Sequence, residues 1–471
     1  MESEVVGTQS ARWPRVEGLL DALGRHPSWL IFLASCAWLG ALEGVLKKFA
    51  LRGVLFQAWS SDDMMQTVPA AVLRETPWRA LYYLHIQPPM LDLIRAVFAR
   101  WVPERHLVDH VDNALYLFNV VVFGLLALRV YQWTRRLSDA RCALCVWLLW
   151  TAYPGGIFVA TLLESTFLST FFTFSFAYEL WRLRRSDGSI GRLTAFGLCI
   201  FFTRTIFQWY TFAIVAVLLL LQHAKPRHIA IFLSVSALFV VPYLVKQKLL
   251  FGTISTTTFG GYHEAGVVWY RPTDFEIEQT KASLGYRYPE GARAVEGHRR
   301  SAMYNNEATA IDNMVYSHLT ARHSRLHPEQ VAAGLWRSLK QDFRVFWQPT
   351  TSYTPNLLID RLPWKPAFMA VFSDSSYITI MALAGVAWAL QWREKLRRLR
   401  PEPGQLLQQI GFELSIFGFA LFVYATSTLC NRYEWVEAQR LKFILEPMFF
   451  VFFGSQLYWA ARRVRGVWTA R

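Results

Sequence analysis

Residues 229–245 read "IAIFLSVSALFVVPYLV", an unbroken apolar run without a single charge. Cations bracket it, with Lys225 and Arg227 before it and Lys246 and Lys248 after it. A helix needs about 20 mostly apolar residues to cross the hydrocarbon core of a bilayer, and this run with its immediate neighbours is of that length. Similar runs recur: "WLIFLASCAWLGAL" at 29–42, "YLFNVVVFGLLALRVY" at 116–131, "TFAIVAVLLLL" at 211–221 and "MFFVFFGSQLYWAA" at 448–461. The 471 residues, 53% hydrophobic and 16% aromatic, therefore read as an all-α polytopic membrane protein and not as two or three soluble domains.

About ten spans are expected, near 28–47, 113–133, 141–157, 160–181, 192–207, 209–223, 228–247, 372–392, 409–428 and 443–461. The net charge of +15 is placed to suit this reading. Basic clusters sit in the short gaps: Arg135 and Arg136; Arg182, Arg184 and Arg185; Lys225 and Arg227; "REKLRRLR" at 393–400; Arg462, Arg463 and Arg465. With the N-terminus inside, all of them fall on the cytoplasmic side, and both termini are cytoplasmic. A nucleic-acid reader would gather such charge on one soluble module, and no such module occurs. Cys36, Cys145 and Cys199 lie within apolar runs, "CALC" at 142–145 lacks a second ligand pair, and Cys430 stands alone, so no disulfide framework is implied. The polar first stretch and the absence of a small-residue cleavage site make the first run a retained anchor.

Two gaps are long, and both fall outside. Residues 48–112 contain "TVPAAVLRETPWRALYYLHI" and "PPMLDLIRAVFARWV", which mix apolar, aromatic and charged residues at helical spacing and read as two short helices lying along the membrane surface. Residues 248–371 open with the Gly/Thr-rich "FGTISTTTFGGYHEAG" and continue into amphipathic helices. The organisation is thus an N-terminal membrane module, 1–247, an outer segment, 248–371, and C-terminal membrane helices, 372–471.

Ionisable groups at membrane depth are costly and usually face a cavity or a partner. Here they collect at one interface from distant segments. Asp62, Asp63 and His85 lie in the first outer gap, Glu164 follows the "YPGG" break, and Arg204 stands near the outer end of span five. Lys246 and Lys248 close span seven, and Glu437, Arg440, Lys442 and Glu446 precede span ten. Two carboxylates and several cations facing outward suit sugar transfer from a lipid phosphate. A carboxylate base would deprotonate an acceptor hydroxyl, and cations would stabilise the departing phosphate, with inversion at the anomeric carbon. Each group has a plainer reading: a solvated acid pair, a histidine capping beside Pro88, an arginine snorkelling to the interface, headgroup anchors at Arg440 and Lys442, a structural Glu164 and a tight turn at Gly260-Gly261.

Three stretches resemble the membrane glycosyltransferases of the GT-C superfamily: the Asp62-Asp63 pair after span one, "YLHIQPPMLDLI" at 83–94, and "EAQRLKFILEPMFF" at 437–450. "KLLFGTISTTTFGG" at 248–261 is a weaker fourth match. The second stretch is similar to the protein mannosyltransferase and aminoarabinose transferase branch, and arabinofuranosyl-transferring members share the layout. The resemblance implies a polyprenyl-phosphate-linked sugar donor, a glycan, lipid or protein acceptor, and residence in a bacterial inner membrane. It assigns catalysis to Asp62, with Asp63 as the alternate. It assigns the donor phosphate to Arg204, Arg440, Lys442, His85 and Lys248, and substrate contacts to Gln87, Tyr262, His263 and Glu437. The second acid is Asp where Glu is commoner, and Met90 stands where Leu is usual. Some branches use a divalent metal, but no ligand set with convincing spacing is seen here. Two other readings stay open. A transporter or lipid flippase would show internal repeats and a midplane site, which the sequence lacks. A non-enzymatic scaffold would leave the outer clustering of charge unexplained.

Overall fold

A computed structural model describes residues 28–45, 60–62, 67–222, 224–296, 305–346, 366, 374–399, 416–426 and 442–469, among which every regular element is a helix and none is a strand. Asp63, Glu437 and Arg440 lie outside the described residues. The first helices are α1 (Ser28–Val45), α2 (Ala70–Glu75), α3 (Pro77–Tyr83), α4 (Met90–Trp101) and α5 (Leu107–Leu137). They are followed by α6 (Ala140–Ala152), α7 (Pro154–Thr161), α8 (Ser165–Arg184), α9 (Ile190–Thr203), α10 (Tyr210–Leu221) and α11 (Pro226–Phe251). The remainder are α12 (Gly260–Val267), α13 (Asp274–Leu284), α14 (Glu290–Arg293), α15 (Glu307–Leu326), α16 (Pro328–Phe346), α17 (Asp374–Leu399), α18 (Ile416–Thr426) and α19 (Glu446–Thr469), the last preceded by a 3₁₀ turn, Phe443–Leu445.

Among the described residues three helical stretches are long and apolar enough to cross a membrane: Leu107–Leu137, Pro226–Phe251 and Phe443–Val464. The α6–α7 pair makes a fourth if taken as one bent span, and α1, α9, α10 and α18 contribute shorter apolar helices. These helices mark a membrane protein. In α11 only 17% of the apolar window is buried by protein, and Leu238, Phe239, Val241, Val245 and Leu249 are exposed. Such a bare apolar flank belongs against lipid. The core lies between α5, α6, α8, α9 and α10, where Trp133 meets Phe174, Tyr178 and Trp181, and Phe123 stacks on Phe167. Gly124 sets the crossing of α1 over α5, because a Cβ there would lie 2.4 Å from Cys36 Sγ. Close backbone approach through small residues is how helices gain packing in lipid.

Two expected helices are broken by proline. The span expected at 141–157 turns by 56° between α6 and α7, where Tyr153 before Pro154 is extended. The helix expected from Thr67 onward divides at Thr76, before Pro77. Clash with the proline ring disfavours the helical region for the preceding residue in both cases. The described part of the first long gap thus holds three short helices. They bury Val68, Leu73, Ala80, Leu84, Ala96 and Ala99 together, and leave Trp78, Tyr82, Val97 and Trp101 exposed.

The bundle has two unlike ends. At the turn end, α5 joins α6, α8 joins α9 and α10 joins α11 through short connections. At the loop end sit residues 60–62 and 67–102, the α7–α8 and α9–α10 breaks, and residues 252–296 and 305–346.

Candidate functional site at the loop end

The site is built around an arginine that sequence reading passed over. Arg95, fully buried on α4, forms an ion pair with Asp62 and a second with Asp92, Nη1 to Oδ1 at 2.6 Å. Its Nε donates to Ser61 Oγ at 3.0 Å and its Nη1 to the Val68 carbonyl at 2.6 Å. Asp92 stands one turn before Arg95 and is also fully buried, so each charge compensates the other inside the protein. Burial lifts the Asp92 carboxyl above its ordinary range, against the opposing pull of Arg95. Asp112 at the start of α5 accepts from the Ser61 amide at 3.1 Å, and Thr67 Oγ1 donates to the Ser61 carbonyl at 2.6 Å. The Ser61-Asp62 turn is therefore held from three sides.

Asp62 is positioned by these contacts. Its two oxygens accept from the Ala70 amide at 2.9 and 3.1 Å, and Arg95 grips Oδ1. The side chain nonetheless keeps 21% of its surface exposed, whereas Asp92 and Arg95 keep none. A carboxylate fixed along one edge and accessible along another is in the position a general base needs.

His85 connects this turn to the second long segment. Its ring Nδ1 meets Thr258 Oγ1 at 2.6 Å and its Nε2 meets the Tyr288 hydroxyl at 3.0 Å. The amides of His85 and Ile86 donate to Asn305 Oδ1. The Thr258 amide returns to the His85 carbonyl at 2.8 Å, and Thr257 Oγ1 donates to the Ile86 carbonyl at 2.5 Å. Burial, reinforced by Lys246, lowers the His85 pKa to about 3. The imidazole is neutral and occupied at both nitrogens, so it joins two segments and adds no cation for a phosphate. Gln87, next but one, donates to Asp92 Oδ2 at 3.4 Å.

The chain of contacts continues to the α9–α10 break. Gln208 Nε2 donates to Thr256 Oγ1 at 2.9 Å, and its Oε1 accepts from the Thr256 amide at 3.1 Å. Arg204, in the same break and buried, donates from Nη1 to Ser165 Oγ at 2.8 Å, at the start of α8 beside Glu164. Asp62, Arg95, Asp92, Gln87, His85, Thr256–Thr258 and Gln208 thus form one connected layer that ends at the segment carrying Arg204.

Other expected site residues sit differently. Lys248 is exposed and its Nζ donates to the carbonyl of Gly252, at the end of its own helix. Its neighbour Lys246 reaches the layer instead, donating to the Leu84 carbonyl at 3.1 Å. Lys442 is 1% exposed and paired with Glu446 at 3.0 Å, within the bundle. Tyr262 and His263 lie on α12, where Tyr262 packs on Phe259 and Tyr316, and His263 packs on Phe259. Burial lowers the His263 pKa to about 4. Gly261 lets α12 approach α15 so closely that a Cβ would lie 2.2 Å from the Asn313 carbonyl oxygen.

Among the described residues no three His, Cys, Asp or Glu side chains gather as a metal ion requires. No protein-family model, curated protein or solved structure matches the chain.

Proposed function

We propose that the chain is a GT-C-like inverting glycosyltransferase of the bacterial inner membrane, with ten spans, both termini cytoplasmic and the loop end outside. The donor is a sugar on a polyprenyl phosphate, and the acceptor is a hydroxyl on a glycan, lipid or protein. Asp62 takes the proton of that hydroxyl as its oxygen attacks the anomeric carbon. The bond between that carbon and the phosphate oxygen breaks, and the lipid phosphate leaves with the electron pair near Arg204. The observation that carries this reading is the fixed, partly exposed Asp62 carboxylate at one end of a layer, joined by hydrogen bonds and the backbone of residues 85–87 and 256–258, whose other end is the Arg204 segment. Asp63, Arg440 and Glu437 keep the roles that the resemblance gives them, and a divalent metal stays an open addition.

The test is transfer of labelled sugar from purified polyprenyl-phosphate sugars. Asp62→Asn should lower transfer about 10²–10⁴-fold with normal expression. Full activity in both Asp62→Asn and Asp63→Asn would sink the mechanism. The bent α6–α7 pair favours one rival, since broken helices also build transporter sites. Movement of a lipid-linked sugar across proteoliposomes, without transfer to any acceptor, would establish that rival.

A further inference from the structure

The turn end carries a second cluster of charge, built on α5, α8 and α9 and independent of the reaction proposed above. Glu179 of α8 is fully buried, and three guanidinium groups converge on it: Arg182 at 3.0 Å, Arg192 at 3.3 Å and Arg129 at 3.8 Å. Beside it, Arg129, Arg136 and Arg182 surround the Tyr178 ring at 5.5–5.8 Å, and Arg185 lies 4.9 Å over Trp181. The second carboxylate of the group is Asp187, which pairs with Arg136 and meets Arg182 at 3.4 Å.

Asp187 is set by a tight α8–α9 turn. The Asp187 and Gly188 amides both donate to the Arg182 carbonyl, Ser186 takes a left-handed φ of 62°, and a Cβ on Gly188 would lie 2.3 Å from the Leu183 nitrogen. The arginines are thus gathered by built structure. Four guanidinium groups share two carboxylates, and a fifth, that of Arg185, stacks on Trp181 beside them. A guanidinium has about five N–H donors and a carboxylate about four acceptor sites, so both donors and positive charge are in excess.

The excess is graded in depth. Arg192 and Arg136 form the rim, at 50% and 42% exposure, while Arg129 and Arg182 lie deeper, at 25% and 15%. Arg129 and Arg136 stand seven residues apart on one helix, which is about 10 Å along its axis. The exposed apolar Leu137 adjoins the rim. We propose that this end of the bundle binds the phosphate of an anionic phospholipid from its own leaflet, with the acyl chains against the apolar flank. A lipid phosphate at a bilayer interface fits cations arranged from rim to depth between helices.

The experiment measures the melting temperature of the purified full chain in neutral detergent, with phosphatidylglycerol, cardiolipin, phosphatidylcholine or inorganic phosphate added. The two anionic lipids should raise it by several degrees, and phosphatidylcholine and inorganic phosphate should not. The double variant Arg136→Gln/Arg192→Gln should lose more than half of that rise, while Arg322→Gln/Arg325→Gln, exposed on α15, should keep it. An equal rise with phosphatidylcholine overturns the proposal, as does an equal rise with inorganic phosphate, which would mean a soluble-anion site. Native mass spectrometry of the same variants reads retained phosphatidylglycerol directly, and unchanged retention in the Arg136/Arg192 variant overturns it as well.

Discussion

The two ends of the bundle use the same pair of side-chain types in opposite proportion. At the loop end one arginine, Arg95, serves two carboxylates, with a third, Asp112, on the adjoining backbone. At the turn end one carboxylate, Glu179, serves three arginines. An acid-rich cluster holds a carboxylate ready to accept a proton, and a cation-rich one attracts an anion. The sign of the majority, and not the presence of ion pairs, separates the proposed base from the proposed headgroup seat.

Removing the minority charge at each end tests the comparison most severely. Arg95→Met should destabilise the protein by roughly 3–5 kcal/mol, since Asp92 is left buried without its counter-charge. The unfolding midpoint in detergent measures it. Glu179→Gln should cost less, about 1–3 kcal/mol, because the arginines around it are partly exposed and water can solvate the charge left over. Equal effects at the two ends would mean that burial of the partners, which differs between them, does not matter.

The third prediction concerns pH. His85 titrates near 6.5 in an unfolded chain and at about 3 when folded. A depressed folded value means that its contribution is complete above about pH 6.5 and is lost as pH falls toward the folded value. Melting temperature should therefore drop between about pH 6.5 and 4, and His85→Gln should flatten part of that drop. His263, lowered to about 4, contributes in the same direction. The smallest effect belongs to Lys248→Gln, expected to stay within about 0.5 kcal/mol in stability, since that ammonium is exposed on its own helix end.

The sequence makes some of this readable and hides the rest. Asp62 and Arg204 stand out because ionisable groups at the ends of apolar runs are unusual, whereas Gln87 is reached only through the family resemblance of its Gln-Pro-Pro stretch. Arg95 and Asp92 do not, since "MLDLIRAVFARW" has the composition of a helix lying on a membrane. What surrounds them is Ser61, Asp62 and Val68, with Asp112 at the start of α5 behind Ser61, contacts that local periodicity does not encode. Glu179 is masked for another reason: the arginines after it satisfy a topological rule by themselves, so nothing local signals a carboxylate beneath them. Lys442 was visible as a charge, but its pairing with Glu446 four residues on is an ordinary helical spacing that can be read directly. The bends at Pro77 and Pro154 follow from the restriction proline places on its predecessor, yet both stretches read as single helices because the apolar pattern continues on each side of the proline.

The amide of His85 finds its acceptor in Asn305, 220 residues further along the chain. At a synthesis rate of ~5–20 residues per second, the first segment waits on the order of 10–40 s before that partner exists. Asp62 can be clasped early, by Arg95 and Ala70 close by, so the acid is set while the histidine turn is still open. Assembly of the loop end is therefore stepwise, and a nascent chain cut before residue 305 would already contain α1 to α14 yet leave the His85 and Ile86 amides without their acceptor.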